Sequence, residues 1–235
     1  MVSIFRRRMS ETENFIAIEG VDGSGKATHT ELLYKFLVNE RGRSVLKLSF
    51  PQYGKPSAIY IEKYLNGEYG SADDVPADLG ALPFAIDRFA AKPIIEAQLL
   101  LPSSVVITDR YVASNLAHQG TKIADQKARH EFYERTMRAE YEILGIPRPG
   151  KNIVLLLPIN IAQSNVDKKG TRGYTTLTRD IHEANSSHLD RAKSNYEELC
   201  RLYPEEFIPI QCVDRNGQMR TINDIQLEIR KVLDI

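Results

Sequence analysis

Apolar positions along this chain fall into two alternating rhythms. Short β-branched runs occupy Phe15–Glu19, Val45–Phe50, Val105–Asp109, Ile153–Leu157 and Phe207–Val213. Within them, Val105-Val106-Ile107 and Ile153-Val154-Leu155-Leu156-Leu157 are continuously apolar. That pattern predicts strands buried on both faces, as in a parallel sheet covered by helices. Amphipathic stretches with helical spacing lie between and beyond them: Lys26–Asn39, Pro56–Leu65, Leu79–Leu100, Gln126–Leu144, His182–Leu202 and Ile222–Leu233. Strands alternating with helices predict an α/β fold, a doubly wound five-stranded parallel sheet with helices on both faces. The polar stretch Asn66–Asp78 is expected to be a surface loop. Ser164–Thr178 is basic, glycine-punctuated and nearly devoid of apolar residues, which predicts a mobile segment inserted after the fourth strand. No repeat or low-complexity linker divides the chain. Residues 15–235 are therefore expected to form one domain behind a disordered tail, 1–14.

Composition narrows the class. The chain has 235 residues, 42% hydrophobic and 26% charged, long enough for a substantial core. Lys+Arg 31 balances Asp+Glu 31, so no global charge draws it to nucleic acid or to an anionic membrane. No apolar run approaches the roughly 20 residues that span a bilayer. Arg6-Arg7-Arg8 is not followed by an apolar stretch, so the N-terminus does not read as a secretory signal. Cys200, in a helical stretch, and Cys212, in an apolar strand, are too few for a disulfide framework. Two buried thiols fit a reducing cytoplasm.

Chemistry enters at the end of the first strand, in Gly20-Val21-Asp22-Gly23-Ser24-Gly25-Lys26-Ala27-Thr28. This is G-x-x-x-x-G-K between a buried strand and a helix, a P-loop. Its glycines let backbone N–H groups close on phosphate oxygens, the helix N-terminus adds positive potential, and Lys26 reaches the transferred phosphates. The residue after Lys26 is Ala27, where a hydroxyl usually meets Mg²⁺, and Thr28 comes one place late. Ligands of such sheets bind at the carboxyl ends of the strands, which directs attention to three further segments: Phe50-Pro51-Gln52-Tyr53-Gly54, Phe84-Ala85-Ile86-Asp87-Arg88, and Asp109-Arg110-Tyr111-Val112-Ala113-Ser114-Asn115 running on to His118-Gln119-Gly120. Phe84 and Arg88 share a helix face, and an aromatic plane beside a guanidinium suits a pyrimidine.

In order and spacing, the P-loop and these three segments resemble the thymidylate kinase family, over about Phe15 to Glu198. The resemblance implies ATP over Gly20–Thr28 and dTMP in a pocket of Phe50, Tyr53, Phe84, Arg88, Arg110, Ser114 and Asn115. Phe84 would stack on the base, Arg88 and Asn115 would read it, and Arg110 would grip the monophosphate. It implies that Asp22 meets the sugar hydroxyl and Mg²⁺. It also implies that the basic segment is a lid, about 164–183, whose Arg172 and Arg179 supply catalytic charge where other members carry an arginine inside the P-loop. Asp180 and Glu183 would then be outer Mg²⁺ ligands, or simply helix N-terminal charge. The family is usually a homodimer. His118 and His182 stand where the family pattern leads one to expect tyrosine, and both are expected to face the acceptor pocket. Two other readings stay open: a kinase for another pyrimidine monophosphate (dUMP or UMP), and a weakly catalytic P-loop scaffold, for which Ala27 is the support.

Overall fold

The computed structural model describes residues 13–167 and 186–235. Its centre is a five-stranded, wholly parallel sheet in the order β2-β3-β1-β4-β5. The strands are β1 (Phe15–Gly20), β2 (Ser44–Ser49), β3 (Ser104–Asp109), β4 (Lys151–Leu156) and β5 (Phe207–Gln211). Every residue of β1 is buried, whereas β2, on the edge, is partly exposed along its length. All five expected strands are present, with ends shifted by one or two residues. Cys212 lies just beyond β5, although its N–H still reaches the Leu156 carbonyl.

The helices are α1 (Lys26–Asn39), α2 (Ile59–Leu65, entered through a 3₁₀ turn at Pro56–Ala58), α3 (Ala77–Leu99), α4 (Val112–Gln119), α5 (Gln126–Met137, continued by a π-helical turn at Arg138–Ile143), α6 (Ile159–Asp167), α7 (Ser186–Leu202) and α8 (Ile222–Val232). α1 buries Lys26, His29, Thr30, Leu33, Phe36 and Leu37, a stripe at three- and four-residue spacing. α3 turns Gly80, Ala81, Ala85 and Ala91 inward, and such small residues let it pack closely. Asp125 caps α5 by accepting from the Ala128 N–H at 2.8 Å, and Thr221 caps α8 by accepting from Asp224 at 3.1 Å.

Three local expectations change. Glu13 and Asn14, assigned to the tail by sequence, form a turn, and the Asn14 carbonyl accepts from Val106 N–H. The first four residues of Ser164–Thr178 complete α6, and the remainder lies outside the described residues. Two short helices, α4 and α6, of eight and nine residues, are missing from the helical stretches read from sequence. α4 has apolar Val112, Ala113, Leu116 and Ala117 on one face and polar Ser114, Asn115, His118 and Gln119 on the other, yet all but Ser114 are buried, because its polar face meets the cavity.

Candidate active site

Three strand ends converge on one cavity. The register sets Asp109 opposite both Ile18 and Ser49, so the chain leaving β1, β2 and β3 emerges together, where parallel sheets receive ligands. A cavity of about 240 Å³ lies there.

The P-loop forms one wall. Gly20, Gly23 and Gly25 have φ of 138, 82 and 94, which L side chains rarely adopt. Gly23 is also hemmed in: a Cβ there would lie 2.0 Å from the Ala162 carbonyl oxygen of α6. Asn165, on the same helix, donates to the Gly23 carbonyl at 3.0 Å. Lys26 Nζ donates to the Val21 carbonyl at 2.9 Å and lies 3.8 Å from Asp22 Oδ1. Burial, and then the charge of Arg110, push the Lys26 ammonium down to about 8, against the pull of Asp22 and Asp109. Of the P-loop residues, Asp22, Gly23, Gly25, Lys26 and Ala27 line the cavity. Gly20 and Ser24 support it from behind, and Thr28 points outward on the exposed side of α1.

Arg110 is the junction of the site. It sits just past β3 at φ 66, a left-handed conformation. Its Nη2 donates to Asp22 Oδ1 at 2.5 Å, and Nη1 donates to Ser114 Oγ at 3.1 Å and to the Gly20 carbonyl at 3.3 Å. Its ion-pair partner is thus Asp22 and not the neighbouring Asp109. Burial is the largest influence and would lower its basicity, but Asp22, Tyr196, Asp109 and Glu19 together outweigh it and raise it. Beneath it lies Glu19, fully buried, which accepts from Tyr111 N–H at 2.6 Å, Ser114 Oγ at 2.7 Å and Tyr196 at 3.1 Å. Burial raises the Glu19 carboxyl in spite of those donors. The bond to Tyr111 N–H ties down the backbone immediately after the strained Arg110.

The opposite wall comes from α3 and α4. Phe84 is half-buried and Arg88 is 2% exposed, the reverse of an ordinary helix with a core phenylalanine and a surface arginine. Arg88 pairs bidentately with Glu140, at 2.6 Å through both Nε and Nη2, and Nη1 reaches the Tyr111 carbonyl at 3.3 Å. Asn115 Nδ2 donates to the Ala81 carbonyl and to Glu140 Oε1, both at 3.0 Å. Those two acceptors fix the amide orientation, which leaves Asn115 Oδ1 buried without a hydrogen-bond donor from the protein. Phe50, Tyr53, Ser114 and His118 complete the lining; Phe50 is itself buried edge-on against Tyr111. His118 Nε2 is 3.4 Å from Arg110 Nη1, and its Nδ1 is 3.2 Å from His188 Nε2.

The structure therefore brings Asp22, Gly23, Gly25, Lys26 and Ala27 of the P-loop and all the acceptor residues named from sequence to one cavity, apart from those in the basic segment. Arg172, Arg179, Asp180, His182 and Glu183 lie outside the described residues. Sequence did not single out Glu19, Glu140 or His188. Glu19 carried a signal, a carboxylate inside an otherwise apolar strand. Glu140 did not, since an acidic residue in a helical stretch is ordinary.

Among the described residues no group of three His, Cys, Asp or Glu side chains could hold a metal ion alone. Asp22 and Asp109 both line the cavity beside Lys26 and Arg110. One or two carboxylates, with phosphate and water making up the rest, is the usual donor set for Mg²⁺, so the residues present fit that ion when a nucleotide is bound.

A P-loop facing a walled acceptor cavity at the carboxyl edge of a parallel sheet defines a nucleoside-monophosphate kinase. A model of one such family, thymidylate kinase, matches residues 18–218. The chain is 35% identical over 185 residues to the thymidylate kinase of Mycobacterium tuberculosis, covering 78% of this chain and 84% of that protein. It is 29% identical over 219 residues to a putative thymidylate kinase of Aeropyrum pernix, covering 91% and 92%. Two solved structures share the fold: the thymidylate kinase of Ehrlichia chaffeensis, with TM-score 0.65 and 20% identity over 93% of this chain and 97% of that one, and that of Candida albicans, with TM-score 0.67 and 19% identity over 94% and 91%. The chain belongs to the thymidylate kinase family.

Proposed function

We propose that this protein transfers the γ-phosphoryl group of ATP to dTMP, giving dTDP. The observation that carries the reading is the single cavity with Lys26 and the P-loop on one wall and Phe84, Arg88, Arg110 and Asn115 on the other. ATP phosphates would rest on the P-loop N–H groups and Lys26. The dTMP phosphate would lie against Arg110, which Asp22 and Ser114 already hold in place. Asn115 Oδ1, a buried acceptor wanting a donor, suits the N3–H of thymine or uracil and not cytosine, which has none. Arg88 keeps N–H donors beyond those given to Glu140 and Tyr111, and these suit the adjacent carbonyl oxygen. Phe84 gives the ring a face to stack on.

The acceptor oxygen is anionic at neutral pH, so attack in line needs no general base. Catalysis is then positioning and charge neutralisation. Mg²⁺ held by Asp22 and Asp109 with the phosphates would supply part of that neutralisation. Arg172 and Arg179 of the basic segment, about 164–183, would supply more, with Asp180 and Glu183 as outer metal ligands and His182 near the acceptor. The cytoplasm suits two buried thiols, and among the described residues no helix is long and apolar enough to cross a membrane.

A homodimer is supported by α3, where Leu79, Leu82, Ile86 and Phe89 stand at alternating three- and four-residue spacing and are all at least 46% exposed. Phe89→Asp should convert the protein to a monomer in sedimentation velocity; an unchanged sedimentation coefficient would remove this face from consideration.

The function is tested by ADP formation from ATP and Mg²⁺ with dTMP, dUMP, UMP and CMP supplied separately. Turnover with dTMP and failure with CMP is the expected result. Equal rates with dTMP and UMP would keep the chemistry and overturn the choice of acceptor. ATP binding with no turnover on any acceptor would favour a scaffold, for which the walled acceptor cavity has no use.

A further inference from the structure

Ala58, Ile61, Tyr64 and Leu65, on α2 and the 3₁₀ turn that leads into it, form a second apolar cluster apart from the main core, with Val75 and Phe84 packed against it. Leu65 and Phe84 also line the cavity. So small a cluster on a seven-residue helix buries little area, and polar ties to the rest of the domain help to set where it sits. One tie is at the start of α2. Asp87 of α3, fully buried, accepts from Ser57 Oγ at 2.5 Å and from Gln52 N–H at 2.8 Å. The other is at the end of α2 and comes from Lys122, the last residue of the turn Gly120–Lys122 after α4. Its ammonium donates to the Val75 carbonyl at 2.6 Å and to the Tyr64 hydroxyl oxygen at 3.1 Å, and lies 5.2 Å from the centre of the Tyr64 ring. Burial brings the ammonium down to about 8 against the pull of Asp73, so it is mostly charged at neutral pH and its hydrogen bonds are of the stronger, charge-assisted kind. A Cβ at Gly80 would lie 2.9 Å from Lys122 Nζ, so the glycine at that turn of α3 leaves room for the ammonium.

We propose that Lys122 is a positioning residue for the acceptor base: it fixes the end of α2, and with it the Tyr64 ring that backs Phe84. Tyr64 is 1% exposed, and its ring lies perpendicular to that of Phe84, with 6.2 Å between centroids and 89° between planes. Phe84 therefore has the cavity on one side and Tyr64 on another. Lys122 does not line the cavity itself, and it reaches Phe84 only through Tyr64 and the chain at Val75 that leads into α3. Loss of its ammonium should be felt where the base is stacked and not at the P-loop, which forms the opposite wall.

The proposal rests on Phe84 stacking on the base of dTMP, and two measurements separate its failure from that of the proposed function. The first needs no turnover. Lys122→Met keeps the length of the side chain and removes its donors. In the full-length protein this variant should speed amide hydrogen exchange over Ile59–Leu65 and leave exchange in β1 and β3 as it was. Unchanged exchange over α2, or an equal rise throughout the sheet, would overturn the proposal. The second is kinetic. Lys122→Met should raise the KM for dTMP roughly three- to ten-fold, the range of one hydrogen bond, with kcat and the KM for ATP within about two-fold. In a Tyr64→Phe background the same substitution should raise it by a smaller factor, since one of its acceptors is already gone. A matching rise in the KM for ATP would reduce Lys122 to packing, and multiplicative effects of the two substitutions would remove Tyr64 from the route. If Lys122→Met fails to fold, Tyr64→Phe alone carries the test: its KM for dTMP should rise with the KM for ATP steady, and an unchanged KM for dTMP would overturn the proposal. Absence of dTMP turnover in the unaltered enzyme would sink the proposed acceptor, and the exchange pattern would still show whether Lys122 holds α2.

Discussion

Arg110 and Asp22, 88 residues apart in the chain, are joined at 2.5 Å in the cavity that both of them line. One residue belongs to the P-loop and the other to the acceptor wall, so the pair ties the two halves of the site together before any ligand arrives. Its basis is the strained turn at Arg110, kept in place by Glu19 through Tyr111 N–H.

Arg110→Lys should lower kcat/KM for dTMP by about 10- to 100-fold, because an ammonium cannot hold Asp22, Ser114 and a phosphate in one plane. ATP affinity should change little. Steady-state kinetics with each substrate varied in turn checks this; equal losses for both substrates would mean that Arg110 organises the whole site.

Lys26→Ala should reduce turnover by at least about 10³-fold, as loss of a phosphate-neutralising cation does in related transfers. The ammonium near 8 adds a pH signature. Below that pH Lys26 is charged, and as the pH rises through it the charge is lost. ATP phosphates favour the charged form, so binding at pH 8.5 should take up protons and affinity should fall toward pH 9. Calorimetry in two buffers of different ionisation enthalpy measures the uptake. Lys26→Arg, which stays charged, should abolish it.

Arg88→Ala would leave Glu140 buried with its charge unmatched, a change that costs about 3–5 kcal/mol in comparable pairs. For a domain of this size that corresponds to a fall in Tm of roughly 6–20 °C. The double variant Arg88→Met with Glu140→Leu should recover most of the lost Tm by replacing the pair with apolar packing, yet should not recover dTMP turnover. Recovery of turnover would show that Arg88 acts on stability alone.

Glu198 on α7 receives Arg129 at 2.8 Å, Gln126 at 3.0 Å, His130 at 3.0 Å and Tyr133 at 3.2 Å, all from α5. Burial alone would raise its carboxyl, but hydrogen bonds from Arg129, His130 and Gln126 outweigh it and bring it down to about 2. A carboxyl lowered on folding stabilises the protein above its unfolded value, near 4.5, and that contribution is lost as the pH falls toward 2. Urea midpoints between pH 5 and pH 3 should therefore fall less steeply in Glu198→Gln than in the unaltered protein, by the equivalent of roughly 3 kcal/mol at most.

The sheet, the P-loop and the acceptor wall were legible because their signals are local: continuous apolar runs, glycine spacing, and pairs four residues apart on one helix. The parts that sequence misses depend on tertiary contacts. α4 escapes because it is only eight residues long and opens on a strained arginine whose support, Glu19, comes from another strand. Glu140 is an unremarkable helical acid until Arg88, 52 residues away, turns inward to meet it. His118 was readable as a departure from the family pattern, but its partner His188 lies 70 residues on, and nothing in the spacing connects the two.

The clearance at Gly23 bears on the evolution of the family. With 2.0 Å between a Cβ there and the Ala162 carbonyl, an arginine cannot replace Gly23 while α6 keeps its seat. A lineage with this arrangement must change two elements together to gain a cation at that position. The glycine at position 23 is thus guarded by a steric barrier between neighbouring sequences, one that drift at a single position does not cross.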